Sequence, residues 1–260
     1  MKSKSADVTG ESIAKISVSI LIATFICCTE GYAQNAKEIV EKYYAAVSKG
    51  DFKNWLKIRS VYIEGESDSR FENQIQLGTP TKSTFKTYRV WPDKCTGELF
   101  QDSVLVSKTY HLKDKSFLVM GNAVMPVSPG PYERYFEFDP VLIKKAVDKS
   151  RKTELVGIKV IDLIKCYDVK IDTKELLWHF YFNADNYLLE YWNNSPDGSP
   201  TETLTKVFDY KEFNNCLIPM SEVKTKNGSP FFWSTRTKVE LNIDIDPGKF
   251  EYQGGDLEKP

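Results

Sequence analysis

Apolar residues recur along this chain with two different periods. Ala36, Ile39, Val40, Tyr43, Tyr44 and Val47 follow one another at helical spacing, with Asn35 ahead as an N-cap and Gly50 behind as a stop, which predicts a first helix. After a short connection through Trp55 the period becomes two: within residues 59–66, Val61 and Ile63 alternate with Ser60, Tyr62 and Glu64. Strands are then predicted at 75–77, 84–91, 97–106 and 116–120, divided by Gly78-Thr79-Pro80, Pro92-Asp93 and Lys113-Asp114. Residues 125–131, rich in Pro and Gly, read as an exposed loop. Asp139-Pro140 opens a second helix whose apolar face is Leu142, Ile143, Ala146 and Val147. Seven more strands follow at 154–163, 165–171, 176–183, 187–193, 202–213, 217–226 and 231–244, with turn signals such as 183–186 and Pro196-Asp197-Gly198 between them. Short turns join antiparallel neighbours, so the sheet should be largely antiparallel.

Two of these strands break the alternation expected of a sheet with one wet face. Residues 176–182 (Leu-Leu-Trp-His-Phe-Tyr-Phe) and 187–192 (Tyr-Leu-Leu-Glu-Tyr-Trp) present large groups on both sides. Both sides therefore want cover. Helices packed on each side, or strands inside a sandwich, would provide it; so would a curved sheet whose concave face holds a hydrophobic ligand.

The first 33 residues stand apart from this pattern. Lys2, Lys4 and Lys15 precede an apolar run at 16–28, and Gly31-Tyr32-Ala33 places small residues where a signal peptidase cuts, so the segment reads as a cleavable export signal. The run is too short and too often interrupted by Ser17, Ser19 and Thr24 for a membrane span, which takes about 20 apolar residues. Cys27-Cys28 sits where a lipoprotein carries its acylated cysteine, although Phe25-Ile26-Cys27 lacks the pattern that should precede it. The expected organisation is a signal peptide at 1–33, one domain at 34–252 and a polar tail at 253–260, giving an exported periplasmic or envelope protein, free rather than lipid-anchored.

Composition narrows the function by exclusion. The remaining chain has 32 basic and 33 acidic residues without a basic stripe, which argues against nucleic acid or an anionic surface as partner. Cys95, Cys166 and Cys216 leave room for one disulfide and no framework, so a core must hold the domain, and 41% hydrophobic and 13% aromatic residues suffice for one. His111 and His179, the only histidines, lie in strand patterns away from other metal ligands. No G-x-S-x-G elbow ties a nucleophile to a base. The carboxylate pairs Glu64/Glu66 and Asp244/Asp246 read as solvated strand edges, and Gly254-Gly255 as tail rather than phosphate loop. Asn193-Asn194-Ser195 and Asn227-Gly228-Ser229 fit the glycosylation pattern. The expectation is a non-enzymatic protein with no cofactor and no metal.

Spaced segments carry a family resemblance. Residues 35–50, Trp55-Leu56-Lys57-Ile58, Val61-Tyr62-Ile63-Glu64-Gly65, Glu154-Leu155-Val156-Gly157, 166–171, 180–189, and Val239-Glu240-Leu241-Asn242 with Phe250 resemble, in order, the LolA-like outer-membrane lipoprotein-sorting proteins of Bacteroidetes. The resemblance implies a mainly β (α+β) fold: a strongly curved antiparallel sheet or incomplete barrel with helices covering its concave face, around an apolar cavity for acyl chains. It implies a lipid or an acylated protein as partner, with lipid or lipoprotein carriage as the role. The gating arginine of the best-known carriers has no match in 78–82 or at Phe85. On this reading the bulky strand residues Tyr62, Phe85, Trp91, Trp178, Phe180, Phe182 and Trp192 are the candidate cavity lining. Two alternatives stand beside it: an envelope interaction module whose apolar sheet face is simply core, and an NTF2-like domain, which residues 39–55 also resemble.

Overall fold

The computed structural model describes residues 35–70, 81–113, 115–127, 140–173, 176–195 and 203–252. The export signal, the strand expected at 75–77, the turn at 196–198 and the tail at 253–260 lie outside the described residues.

Asn35 caps α1 (Ala36–Val47) by accepting a hydrogen bond from the Glu38 amide at 2.9 Å, and the face made by Ile39, Val40, Tyr43 and Val47 is buried. Gly50, at φ +87°, turns the chain out of the helix and donates to the Ala45 carbonyl at 2.8 Å. A short α2 (Lys53–Leu56) is pinned by Trp55, whose indole N–H donates to the Val47 carbonyl at 3.1 Å.

Then follow β1 (Ser60–Ser69), β2 (Thr81–Val90), β3 (Lys94–Gln101), β4 (Val104–Leu112), β5 (Lys115–Met120) and β6 (Ala123–Pro126). Next come α3 (Pro140–Asp148), β7 (Lys152–Ile161), β8 (Ile164–Asp172), β9 (Leu177–Asn183), β10 (Leu189–Ser195), β11 (Thr203–Phe213), β12 (Cys216–Lys226) and β13 (Ser229–Leu241). All 13 strands form one antiparallel, strongly curved, open sheet in the order β6-β5-β4-β3-β2-β1-β13-β12-β11-β10-β9-β8-β7. The chain runs out along one meander from β1 to β6, crosses to the far edge with α3, and returns as a second meander that seals β13 onto β1.

Two turns fall inside segments read as strand, and one strand reaches into a segment read as loop. Residues 97–106 are not one strand: Asp102 and Ser103, at φ +48° and +65°, make the β3–β4 hairpin turn. Likewise Asp162 and Leu163, at φ +49° and +67°, end β7 earlier than expected. Met125 and Pro126, read as the start of a loop, belong to β6, which pairs with β5. Asn227-Gly228, noted for its glycosylation pattern, is the β12–β13 turn, with φ +51° and +77°.

The face carrying α1 is the inner face. Pairing runs Val61 and Ile63 with the helix-side core, and Trp178, Phe180 and Phe182 with them, while Tyr62, Tyr181 and Tyr191 point outward. Among the described residues the outer face is covered without a second helical layer. Lysine ammoniums lie over its tyrosine rings: Lys159 over Tyr181 at 5.3 Å, Lys206 over Tyr191 at 5.3 Å, Lys108 over Tyr110 at 4.9 Å and Lys249 over Tyr88 at 4.8 Å. Each lysine stem shields apolar ring surface while its charge stays wet. Beyond β13, a single 3-10 turn (Pro247–Phe250) lays Phe250 and Tyr252 across this face, Tyr252 meeting Phe117 edge-on at 5.6 Å. Strands large on both sides are thus reconciled with one wet face.

Candidate ligand-binding face

The inner face has two unlike halves. Over the first, α1 sets Tyr43 against Phe182 with ring centroids 5.0 Å apart, above a stack in which Trp178 and Phe180 lie 5.4 Å apart and nearly parallel. Leu189, Val207, Val169 and Ile171 complete that core, each with no exposed surface. Trp178, Phe180, Phe182 and Trp192 are thus brought together, packed as core beneath α1, and among the described residues this half is closed.

The second half is the inner face of β2–β5. Cross-strand pairing places Thr87, Gly97, Thr109, Leu118 and Met125 in one row continuous with Ile63. Phe85 and Leu99 form the neighbouring row opposite Gly65. Phe85, Leu99 and Leu118 are half-buried, and Met120 and Met125 remain 48% and 41% exposed. A methyl group built on Gly97 would meet no atom of the described residues within 4 Å, so among them the middle of this row opens onto free space. Phe85 belongs to this half. Trp91 lies just past β2, half-buried, with the buried Arg89 guanidinium 5.2 Å from its ring. Tyr62 is apart from the others: it points outward, its ring tilted against that of Tyr88 at 5.0 Å and its hydroxyl hydrogen-bonded to Glu64.

Strand choice by bulk overlooked Gly97, Leu99, Leu118, Met120 and Met125. A lone glycine inside a strand is itself a signal of close approach by a ligand or another backbone. Charge enters the inner face where Arg236 donates to the Pro219 carbonyl at 2.8 Å and approaches Glu222 at 3.4 Å, both buried.

Elsewhere the chemistry-bearing side chains are structural. His111 meets the Ser116 hydroxyl at 3.1 Å within the sheet. On the outer face, His179 Nδ1 lies 2.7 Å from the fully buried Asp168 carboxylate, and Lys159 Nζ 2.8 Å from its other oxygen. Burial pushes the Asp168 carboxyl up, but hydrogen bonds from His179 and Lys159 outweigh it and hold the group below its usual range. A carboxyl depressed in the folded state stabilises fully above its unfolded pKa, about 3.9, and that contribution is lost as pH falls through the folded value. Asp168→Asn should therefore cost about 1.5–3 kcal/mol at pH 7. In urea titrations the gap to the unsubstituted protein should shrink below about pH 4; a pH-independent gap would show that the charge is not what matters.

Cys95, Cys166 and Cys216 are free, and burial pushes the Cys166 thiol up to about 12 and the Cys216 thiol to about 11, so neither of these two is a thiolate nucleophile at neutral pH. Among the described residues, no three His, Cys, Asp or Glu side chains converge as metal ligands. A separate cleft of about 550 Å³ opens at the far end of β1, β2 and β13, lined by Glu66, Asp68, Lys82, Phe100, Asp102 and Trp233. None of the seven residues singled out from the sequence lines it.

No protein-family model and no curated protein matches the sequence. Solved structures do match the fold. A DUF1329 family protein from Desulfovibrio piger superposes with a TM-score of 0.59 at 11% identity, covering 84% of this chain and 97% of its own. A LolA superfamily protein from Nitrosomonas europaea gives 0.58 at 9% identity, over 85% and 99%. A domain from Vibrio parahaemolyticus, described as an outer-membrane lipoprotein-sorting protein domain, gives 0.53 at 11% identity, over 82% and 94%. The single curved sheet, and not the shorter NTF2-like cone, is the scaffold present: the fold of this chain is LolA-like.

Proposed function

We propose that this is an exported envelope protein that binds an acyl chain, or a ligand of like shape and polarity, against the inner face of β2–β5. Lipid or lipoprotein carriage is the role such binding would serve. The observation that supports it is the division of the inner face: α1 fills one half completely, while the other is lined by Phe85, Leu99, Leu118, Met120 and Met125 around the open space at Gly97. Burial contributes roughly 0.8 kcal/mol per CH2, so a long chain binds such a surface without a specific polar contact. The LolA-like fold of the sheet is in keeping with this reading, though fold alone does not carry function. Among the described residues no helix is long and apolar enough to cross a membrane.

Native mass spectrometry of gently purified protein should show copurifying lipid, and a fluorescent fatty acid should bind and be displaced by unlabelled palmitate. Absence of both would remove the proposal. The cleft at the far end of β1, β2 and β13 favours the second reading, an envelope interaction module, because its mix of carboxylates, Lys82 and Trp233 suits a polar partner rather than an acyl chain.

A further inference from the structure

The two edges of the sheet are not alike. β6 is blunted, with four residues ending in Pro126, whereas β7 offers ten residues with no proline. Among the described residues no strand pairs with the outer edge of β7. Yet this edge is apolar: Val156 is 49% exposed, Ile158 48%, Val160 63%, and Leu163 in the following turn 96%. A long free strand carrying aliphatic side chains in water is what sheet proteins ordinarily avoid.

The sequence of β7 complements itself. Its pairing with β8 contains a bulge between Leu155 and Gly157, so the faces exchange parity there. Before the bulge Lys152 and Glu154 point outward; after it Gly157, Lys159 and Ile161 do. An antiparallel pair of two β7 strands matches face to face only when a residue before the bulge opposes one after it. In one such register Glu154 stands opposite the partner's Lys159, and Leu155 opposite the partner's Ile158, each contact occurring twice about the twofold axis. In that register the extra residue, Val156, stands opposite the partner's Gly157, so the two bulges lie side by side at the twofold axis.

We infer that the protein forms a twofold dimer by antiparallel pairing of β7 with β7 of a second copy, extending the two sheets into one. The charge pattern selects the second copy over an arbitrary extended peptide: opposite charges face each other at both ends, whereas centring the pair on Lys159 would oppose like charges. The dimer leaves the inner face of β2–β5, near the other edge of each sheet, unobstructed.

Sedimentation equilibrium at concentrations up to about 100 µM should return the dimer mass. Ile158→Lys puts a charge against the partner's Leu155, and Glu154→Lys turns both ion pairs into repulsions; each should weaken association roughly tenfold or more. Both positions face solvent at least in part, and far-UV circular dichroism checks that the fold is kept. A monomer throughout the concentration range overturns the inference. So does a dimer whose association neither substitution weakens.

Discussion

Phe180→Ala is expected to lower the unfolding free energy by about 3–5 kcal/mol, the largest loss for any single truncation under α1. Phe180 has no exposed surface and sits between Trp178, 5.4 Å away, and Phe182, 6.3 Å away. Phe182 is itself held against Tyr43 of α1 and Trp178 against Trp192, so the void cannot close by a small shift of one neighbour, and the cavity term adds in full to the lost transfer energy. Urea unfolding followed by tryptophan fluorescence measures it directly, since Trp178 and Trp192, with ring centroids 5.9 Å apart, report on the same cluster. A loss below about 1 kcal/mol would mean that α1 does not clamp this half of the sheet.

Gly65→Ala should destabilise by about 2–3 kcal/mol for the opposite reason, too much volume. A Cβ built there lies 2.3 Å from Phe85 Cζ and 2.5 Å from the Thr235 carbonyl oxygen. The ring can turn aside. The carbonyl belongs to β13 and moves only if the β1–β13 seam moves, at the point where its register already shifts between Glu64 and Gly65. That seam joins the two meanders, so strain there is felt by the whole sheet. Adding Phe85→Leu should recover only the part due to the ring; full recovery in the double variant would show that the backbone contact is unimportant.

The sequence made α1 legible because its apolar spacing, Asn35 cap and Gly50 stop all agree. The strand count after β7 was legible too, since most turns there carry Asn, Asp or Gly. The β3–β4 hairpin was hidden because Asp102 and Ser103 adopt positive φ without a glycine to announce it. Leu163 hid the end of β7 in the same way. The outer face was misleading for a different reason: a tyrosine capped by a lysine from another strand looks, in one dimension, like an apolar residue in need of a second core. Lys159 over Tyr181 and Lys206 over Tyr191 are cross-strand facts.

The candidate site shows the same limit. Bulk selected Trp178, Phe180, Phe182 and Trp192, and bulk is what a filled core requires, so these residues lie where α1 closes the face. An open face instead shows itself by smaller and more flexible groups: Gly97, flanked in register by Thr87 and Thr109, and the methionines beyond Leu118. Methionine adapts to irregular apolar shapes, and the glycine leaves room.

The central claim, that an acyl chain lies over β2–β5, is tested most directly at Gly97. Replacing it with leucine fills the open space without touching α1 or the core beneath it. The affinity for a fluorescent fatty acid should fall roughly tenfold or more, with the urea midpoint held or raised. Unchanged affinity in a folded Gly97→Leu protein would contradict the account and place the ligand elsewhere.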